Sequence, residues 1–208
     1  MRTLGQSILI LAAAGAACFG QQWEVGGLAG GSFVKSVPVS ATAGSATAGF
    51  QPGAAFGGYI GYSSYKHVGG ELRYGFLQSN LRLASGGTDA TFSGVSHVVH
   101  YDVILHTNPG ESKVQLFAAV GGGLKVFRGT GQEAAYQPLS QFGYFTKTQA
   151  VKPMLSVGGG LKWFSTRHFG VRGDYRFFIV RNNDTAPLFF GNETRYGHRV
   201  QGGLIFTY

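Results

Sequence analysis

Polarity alternates residue by residue along this chain in eight stretches of about ten residues each. A period of two is that of a β-strand, whose successive side chains point to opposite faces, and it does not fit a helix. The stretches run Trp23 to Val34, Ala54 to Tyr65, Gly69 to Leu81, Thr91 to His106, Lys113 to Arg128, Val151 to Phe164, Phe169 to Arg181 and Tyr196 to Tyr208. The clearest sets Val171, Gly173, Tyr175, Phe177 and Ile179 against Arg172, Asp174 and Arg176. In the last, Val200, Gly202, Leu204, Phe206 and Tyr208 oppose Arg199, Gln201, Gly203 and Thr207, with Ile205 alone as an apolar residue on the polar side. Val99, Tyr101, Val103 and Leu105 likewise oppose His100 and Asp102.

The connections alternate in length. They are long from Lys35 to Gly53, short at Lys66 to Val68, medium from Arg82 to Ala90 and short at Thr107 to Ser112. Gly129 to Ala150 is long, Ser165 to His168 short, and Asn182 to Arg195 long again. Long loops at one end and tight turns at the other describe an up-and-down meander of even strand number, with both termini at the tight-turn end. One phrase, Ala119-Val-Gly-Gly-Gly-Leu-Lys-Val-Phe127, returns as Ser156-Val-Gly-Gly-Gly-Leu-Lys-Trp-Phe164. That spacing fits two neighbouring antiparallel strands joined by a long loop, and a phrase that occurs only twice is not a solenoid repeat.

Met1 to Gly20 reads as a secretory signal: Arg2 gives a positive start, Ile8 to Ala17 is apolar, and small residues precede the expected cleavage point. Cys18 is then removed with it; lipidation of Cys18 is the lesser alternative, because Leu is missing three positions upstream. The remaining chain, 21–208, has no cysteine, so disulfides cannot hold it together. After residue 20 nothing approaches the ~18 consecutive apolar residues of a membrane helix, a test that leaves a barrel open. The basic residues outnumber the acidic ones, 17 to 9, but are scattered without a basic stripe, so no nucleic-acid partner is expected.

Bulk decides which face is which. Trp163, Tyr175, Phe177, Leu204, Phe206 and Tyr208 share the apolar face, while the other carries Gly, Ala, Ser and charges, which suits lipid outside and a tight polar filling inside. By parity the inward set is Glu24, Glu71, Arg73, His100, Asp102, Lys125, Lys162, Arg172, Asp174, Arg176 and Arg199. As lone ions these would each be costly in a low-dielectric interior, so they are expected as hydrogen-bonded pairs with a small positive excess open to water or an anion. Gly26, Gly57, Gly121, Gly123, Gly158, Gly160 and Gly203 fall on the same face and read as room for large neighbours, with a widened channel as the other reading.

These residues resemble the small eight-stranded outer-membrane β-barrels of the OmpA and OmpX type, over nearly the whole chain after residue 20. Leu204-Ile205-Phe206-Thr207-Tyr208 is similar to that family's terminal strand, and the resemblance makes Leu204, Phe206 and Tyr208 a signal for the barrel assembly machinery. Gly170-Val-Arg-Gly-Asp-Tyr-Arg-Phe-Phe178 is similar to the penultimate strand of such barrels. The resemblance implies an all-β, eight-stranded antiparallel up-and-down transmembrane β-barrel in the cell outer membrane, in contact with outer-membrane lipid. Ending at Tyr208, the chain is expected to lack the periplasmic peptidoglycan-binding domain of longer members.

Other chemistry is sparse, and neither a cofactor nor a metal is expected. Gly129-Thr-Gly-Gln-Glu-Ala134 matches a dinucleotide phrase but no helical period follows it. His97 and His100, three apart in a strand, point to opposite faces and cannot share an ion. Asn183-Asp-Thr185 and Asn192-Glu-Thr194 match glycosylation sequons and read as polar loop residues. His100 with Asp102 is the enzymatic candidate, an esterase-like pair awaiting a Ser, against the plainer reading of a buried ion-paired histidine.

An eight-stranded interior is just wide enough for side chains to fill, which disfavours a wide pore. The expected role is therefore not enzymatic: a structural or surface-interaction protein binding an unknown extracellular ligand through loops such as Tyr136 to Thr148 and Leu188 to Tyr196. Phe142, Tyr144, Phe145, Phe189 and Phe190 would otherwise face water there. A narrow, weakly anion-preferring channel is the alternative, and a lipid-modifying enzyme a second one.

Overall fold

The computed structural model describes residues 22–42, 44–63, 67–107, 112–129, 138–142, 149–181 and 194–208. The expected leader with Cys18, the dinucleotide-like phrase after Gly129, both sequons apart from Thr194, and the loop aromatics Tyr144, Phe145, Phe189 and Phe190 lie outside the described residues. In chain order the strands are β1 (Gln22–Val34), β2 (Val37–Ala41), β3 (Gly44–Phe50), β4 (Gly53–Ser63), β5 (Val68–Gln78) and β6 (Leu81–Ser85). They continue with β7 (Thr88–Phe92), β8 (Gly94–His106), β9 (Val114–Gly129), β10 (Gln149–Phe164), β11 (Phe169–Val180) and β12 (Arg195–Thr207).

Eight of them close into an antiparallel barrel in the order β1, β12, β11, β10, β9, β8, β5, β4. Closure is made by β1, which pairs with β4 on one side and with β12 on the other, from Glu24 opposite Thr207 to Val34 opposite Gly197. Each barrel strand is one of the eight alternating stretches, because a residue-by-residue polarity change can be served only by a sheet with lipid on one face and a filled bore on the other. The exterior is a band of large apolar side chains about half exposed, among them Leu124, Leu155, Val157, Leu204 and Phe206. No helix among the described residues is long and apolar enough to cross a membrane, so strands make the crossing.

The echoed phrases lie in β9 and β10, which pair with Val120 opposite Val157. The two glycine triplets are therefore offset rather than aligned, and Gly160 falls opposite Phe117. A Cβ at Gly160 would stand 2.7 Å from Cζ of Phe117; the glycine is what lets that ring lie inside the bore.

Two expected loops are strands. The segments read as connections from Lys35 to Gly53 and from Arg82 to Ala90 hold the hairpins β2–β3 and β6–β7, which join through β3 and β6 into a separate four-stranded sheet. For the same reason the expected third strand stops at Gln78 instead of Leu81, and the fourth begins at Gly94 instead of Thr91. The alternation runs on through Leu81-Arg82-Leu83, so polarity alone does not mark where one sheet ends. Geometry does: Ser79 N–H donates to the Gly94 carbonyl and Gln51 N–H to the Asn80 carbonyl, turning the chain out of the barrel. At the tip of β6–β7, Gly86 and Gly87 both have positive φ, 57° and 82°, as a two-residue hairpin turn that follows the strand twist requires.

The expectation of a wholly polar filling also needs correction. The long-loop end of the bore holds an apolar cluster in which Ala55, Leu77, Val98, Phe127, Met154, Phe178 and Val180 of the barrel meet Ala46, Phe50, Leu81, Leu83 and Ala90 at the base of the second sheet. Phe142, expected in an outer contact loop, is partly buried against this cluster. The sheet's other face is polar, with an Arg82–Asp89 ion pair at 2.7 Å, about half exposed and so contributing little stability. Leu83, buried to 2% exposure, joins the sheet to the barrel. Leu83→Ala should cost ~2–5 kcal/mol at that joint. Limited proteolysis of the folded protein in lipid should then cut the β6–β7 hairpin while the barrel survives; unchanged resistance would refute the joint.

Candidate functional site

Below the apolar cluster, toward the tight turns, the bore is filled by ionisable groups. Glu71, Arg73, His100, Asp102, Lys125, Lys162, Arg172, Asp174, Arg176 and Arg199 are all buried, and Glu24 is nearly so. They come from β1, β5, β8, β9, β10, β11 and β12, and a spacing of two within β5, β8 and β11 keeps each strand's contribution on the inner face.

Neighbouring strands set like charges opposite each other: Glu71 faces Asp102, Lys162 faces Arg172, and Arg176 faces Arg199. Such pairs repel, so the attractive partners lie across the bore. Arg172 of β11 grips Glu71 of β5 through both guanidinium ends, at 2.5 and 3.0 Å. Arg73 of β5 reaches Asp174 of β11 at 2.7 Å. In the closed order β5 and β11 are four strands apart either way round, so these two pairs join opposite walls. Lys162 donates to Glu24 at 2.7 Å. Arg176 stands among three carboxylates, 3.3 Å from Asp102, 3.5 Å from Glu71 and 3.7 Å from Asp174, without hydrogen-bond alignment to any.

The inner glycines make room for this layer. A Cβ at Gly158 would stand 2.9 Å from Cδ of Arg176, one at Gly121 2.7 Å from Cα of Asp102, and one at Gly123 2.5 Å from Cα of His100. Glycine at these places lets the neighbouring backbone come close, and at Gly158 leaves room for Arg176 as well, which favours the packing reading over a widened channel.

His97 and His100 lie on opposite faces, the first outward and partly exposed, the second buried. Asp102 accepts from His100 Nδ1 at 3.0 Å, and Arg199 Nη2 donates to His100 Nε2 at 3.3 Å. A guanidinium can only donate, so this arrangement puts the imidazole proton on Nδ1 and leaves the ring neutral. The nitrogen a serine nucleophile would need is therefore engaged by Arg199.

Aromatic residues inside the bore were not expected. Tyr59 donates its hydroxyl to Glu24, and its ring lies 4.6 Å from the Arg172 guanidinium. Phe117 lies under the same guanidinium at 4.3 Å, and Phe178 under that of Arg199 at 4.5 Å. Cations over ring faces gain stabilisation that grows as water is excluded. Parity would have found them, since Tyr59 shares its face with Gly57 and Phe117 with Gly121; assigning every aromatic to lipid hid them. At the tight-turn mouth a cleft of about 10 Å³ is bordered by Glu24, Tyr62, Glu71, Ile104, His106 and Lys162, about enough for one water.

Two solved barrels superpose on this architecture. Neisserial surface protein A is 11% identical, covers 91% of this chain and 99% of its own, and gives a TM-score of 0.56. OprG of Pseudomonas aeruginosa is 11% identical, covers 91% of this chain and 96% of its own, and gives 0.63. The fold is that of a small outer-membrane β-barrel. No protein-family model and no curated protein sequence matches it.

Removing one partner of a buried ion pair strands the other, a loss of ~3–5 kcal/mol. Arg172→Met should therefore destabilise the barrel strongly, and adding Glu71→Gln should restore much of the loss. Urea unfolding in lipid vesicles checks both; a double variant no better than the single one would contradict the cross-bore pairing.

Proposed function

We propose that this protein acts at the cell surface through the strands and loops on the long-loop end of a barrel whose bore does not conduct. The observation that carries this reading is the seating of the sheet β2–β3–β6–β7 on the apolar cluster in the barrel mouth. That sheet turns its apolar side down and presents Ser40, Ser45, Asp89 and Thr91 outward. A polar sheet fixed above the membrane suits recognition of an extracellular ligand, whereas the apolar layer beneath it opposes ion transit. The cross-bore ion pairs support the same reading by filling the section below.

The test is twofold. Refolded protein in a planar bilayer should stay silent, and replacing each hairpin by a short turn should preserve the barrel's heat-dependent gel shift while abolishing adhesion to host or neighbouring cells. Discrete anion-preferring steps that Arg172→Glu inverts would favour the channel instead, and adhesion unchanged by hairpin removal would end the surface reading.

Leu204, Phe206 and Tyr208 line the outer face of the last strand, 49%, 50% and 85% exposed. We propose that they serve the barrel assembly machinery during biogenesis. Phe206→Ser with Tyr208→Ser should then lower the folded fraction in cells while leaving detergent refolding of purified protein little changed; equal losses in both settings would mean a purely structural role.

A further inference from the structure

The bore holds more cations than carboxylates, and the carboxylates are all engaged. Glu24 takes Lys162, Glu71 takes Arg172, Asp174 takes Arg73, and Asp102 faces Arg176. Lys125 and Arg199 are left, 6% and 2% exposed, and neither has a carboxylate within 4.0 Å among the described residues. Among the described residues Lys125 Nζ has the Phe127 ring, 4.6 Å away, and the ladder sets another cation, Lys152, opposite it. Arg199 spends one nitrogen on a neutral histidine and leaves buried Nε without a partner.

The two side chains stand over neighbouring ladders of the bore wall. Arg199 Nη1 lies 2.6 Å from where a Cβ of Gly75 would stand. Gly75 pairs with Val98, and Val98 with Lys125, so the guanidinium and the lysine are two ladder steps apart, about 10 Å between backbones. Ser96 sits on the same inner face, diagonal to Lys125 across β8 and β9, fully buried and with its hydroxyl unpartnered. Phe127 and Phe178, members of the apolar cluster, lie against the two cations. Two cations without a carboxylate partner among the described residues, packed against apolar rings, are a costly arrangement unless a counter-charge joins them.

We propose that Lys125, Arg199 and Ser96 form a binding site for a small inorganic anion of the halide class inside the barrel. Ammonium, guanidinium and hydroxyl are all hydrogen-bond donors. A monovalent sphere asks only for converging donors, whereas phosphate would need further donors and more room than a bore packed by side chains supplies. The site goes beyond the surface role and does not depend on it.

The test uses the full folded protein in lipid vesicles, exchanged into sodium isethionate and titrated with sodium chloride at constant ionic strength. The midpoint of the heat-dependent gel shift should rise saturably with chloride, and with bromide. Lys125→Met should abolish the rise and be more stable than the parent without chloride. Ser96→Ala, which removes one donor and no charge, should weaken the chloride response about fivefold, and it keeps the proposal testable should Lys125→Met fail to fold. Bromide-soaked crystals should show anomalous density beside Lys125 Nζ. A flat chloride titration of the parent, an unchanged response in a folded Lys125→Met, or a rise with phosphate alone would overturn the proposal.

Discussion

The bidentate grip of Arg172 on Glu71 across the bore is the interaction on which the rest of this molecule depends. Along each ladder the charges are arranged unfavourably, carboxylate opposite carboxylate at Glu71 and Asp102, cation opposite cation at Arg176 and Arg199. In an open sheet those rows would be relieved only within a strand, as where Arg172 bonds Asp174 two residues on. Only closure brings β5 to face β11 through the interior, where Glu71 and Arg73 meet Arg172 and Asp174. The charge pattern thus selects the closed eight-stranded form. It also fixes register, because a slip by one residue would turn every one of these groups into lipid.

The apolar and ionic layers of the interior are coupled where they meet. Phe127 and Phe178 belong to the cluster that seats the outer sheet, and the same two rings lie against Lys125 and Arg199. From Arg199 the contact passes through His100 to Asp102, and from there to Arg176. The apolar layer keeps water from the cations beneath it, which raises both the strength of the paired contacts and the penalty on the unpaired ones.

The barrel was legible because its period is simple. Arg172, Asp174 and Arg176 alternate with Val171, Gly173 and Tyr175 without a break, and such a run has one solution between lipid and a filled bore. The inward charged set followed by parity for the same reason. The second sheet was hidden because Leu81-Arg82-Leu83 continues the alternation of β5, so the change of sheet at Ser79 and Asn80 leaves no trace in polarity; the paired glycines Gly86 and Gly87 were the overlooked mark of a hairpin. Tyr59 and Phe117 were missed because residue type was allowed to overrule position. Which cation pairs with which carboxylate lies beyond sequence altogether, since partners such as Arg73 and Asp174 are 101 residues apart and meet only through closure.

The outer sheet is held to the barrel by two devices of different kind, which bears on how a sheet can be kept in place above a barrel mouth. The apolar joint resists lifting but is non-directional, and would allow the hairpins to rock. Direction comes from Asn80, whose carbonyl accepts the Gln51 N–H at the base of one hairpin while its side chain accepts the Gly94 N–H at the base of the other. One residue thus fixes both hairpins to the rim, and Gln51 adds a side-chain bond to Thr91 from the opposite side. Rigid strands below, an apolar seat and a pinned rim together hold the polar outer face of the sheet at a set angle. A surface so held loses less orientational freedom on binding than free loops would, and keeps more of its contact energy as affinity.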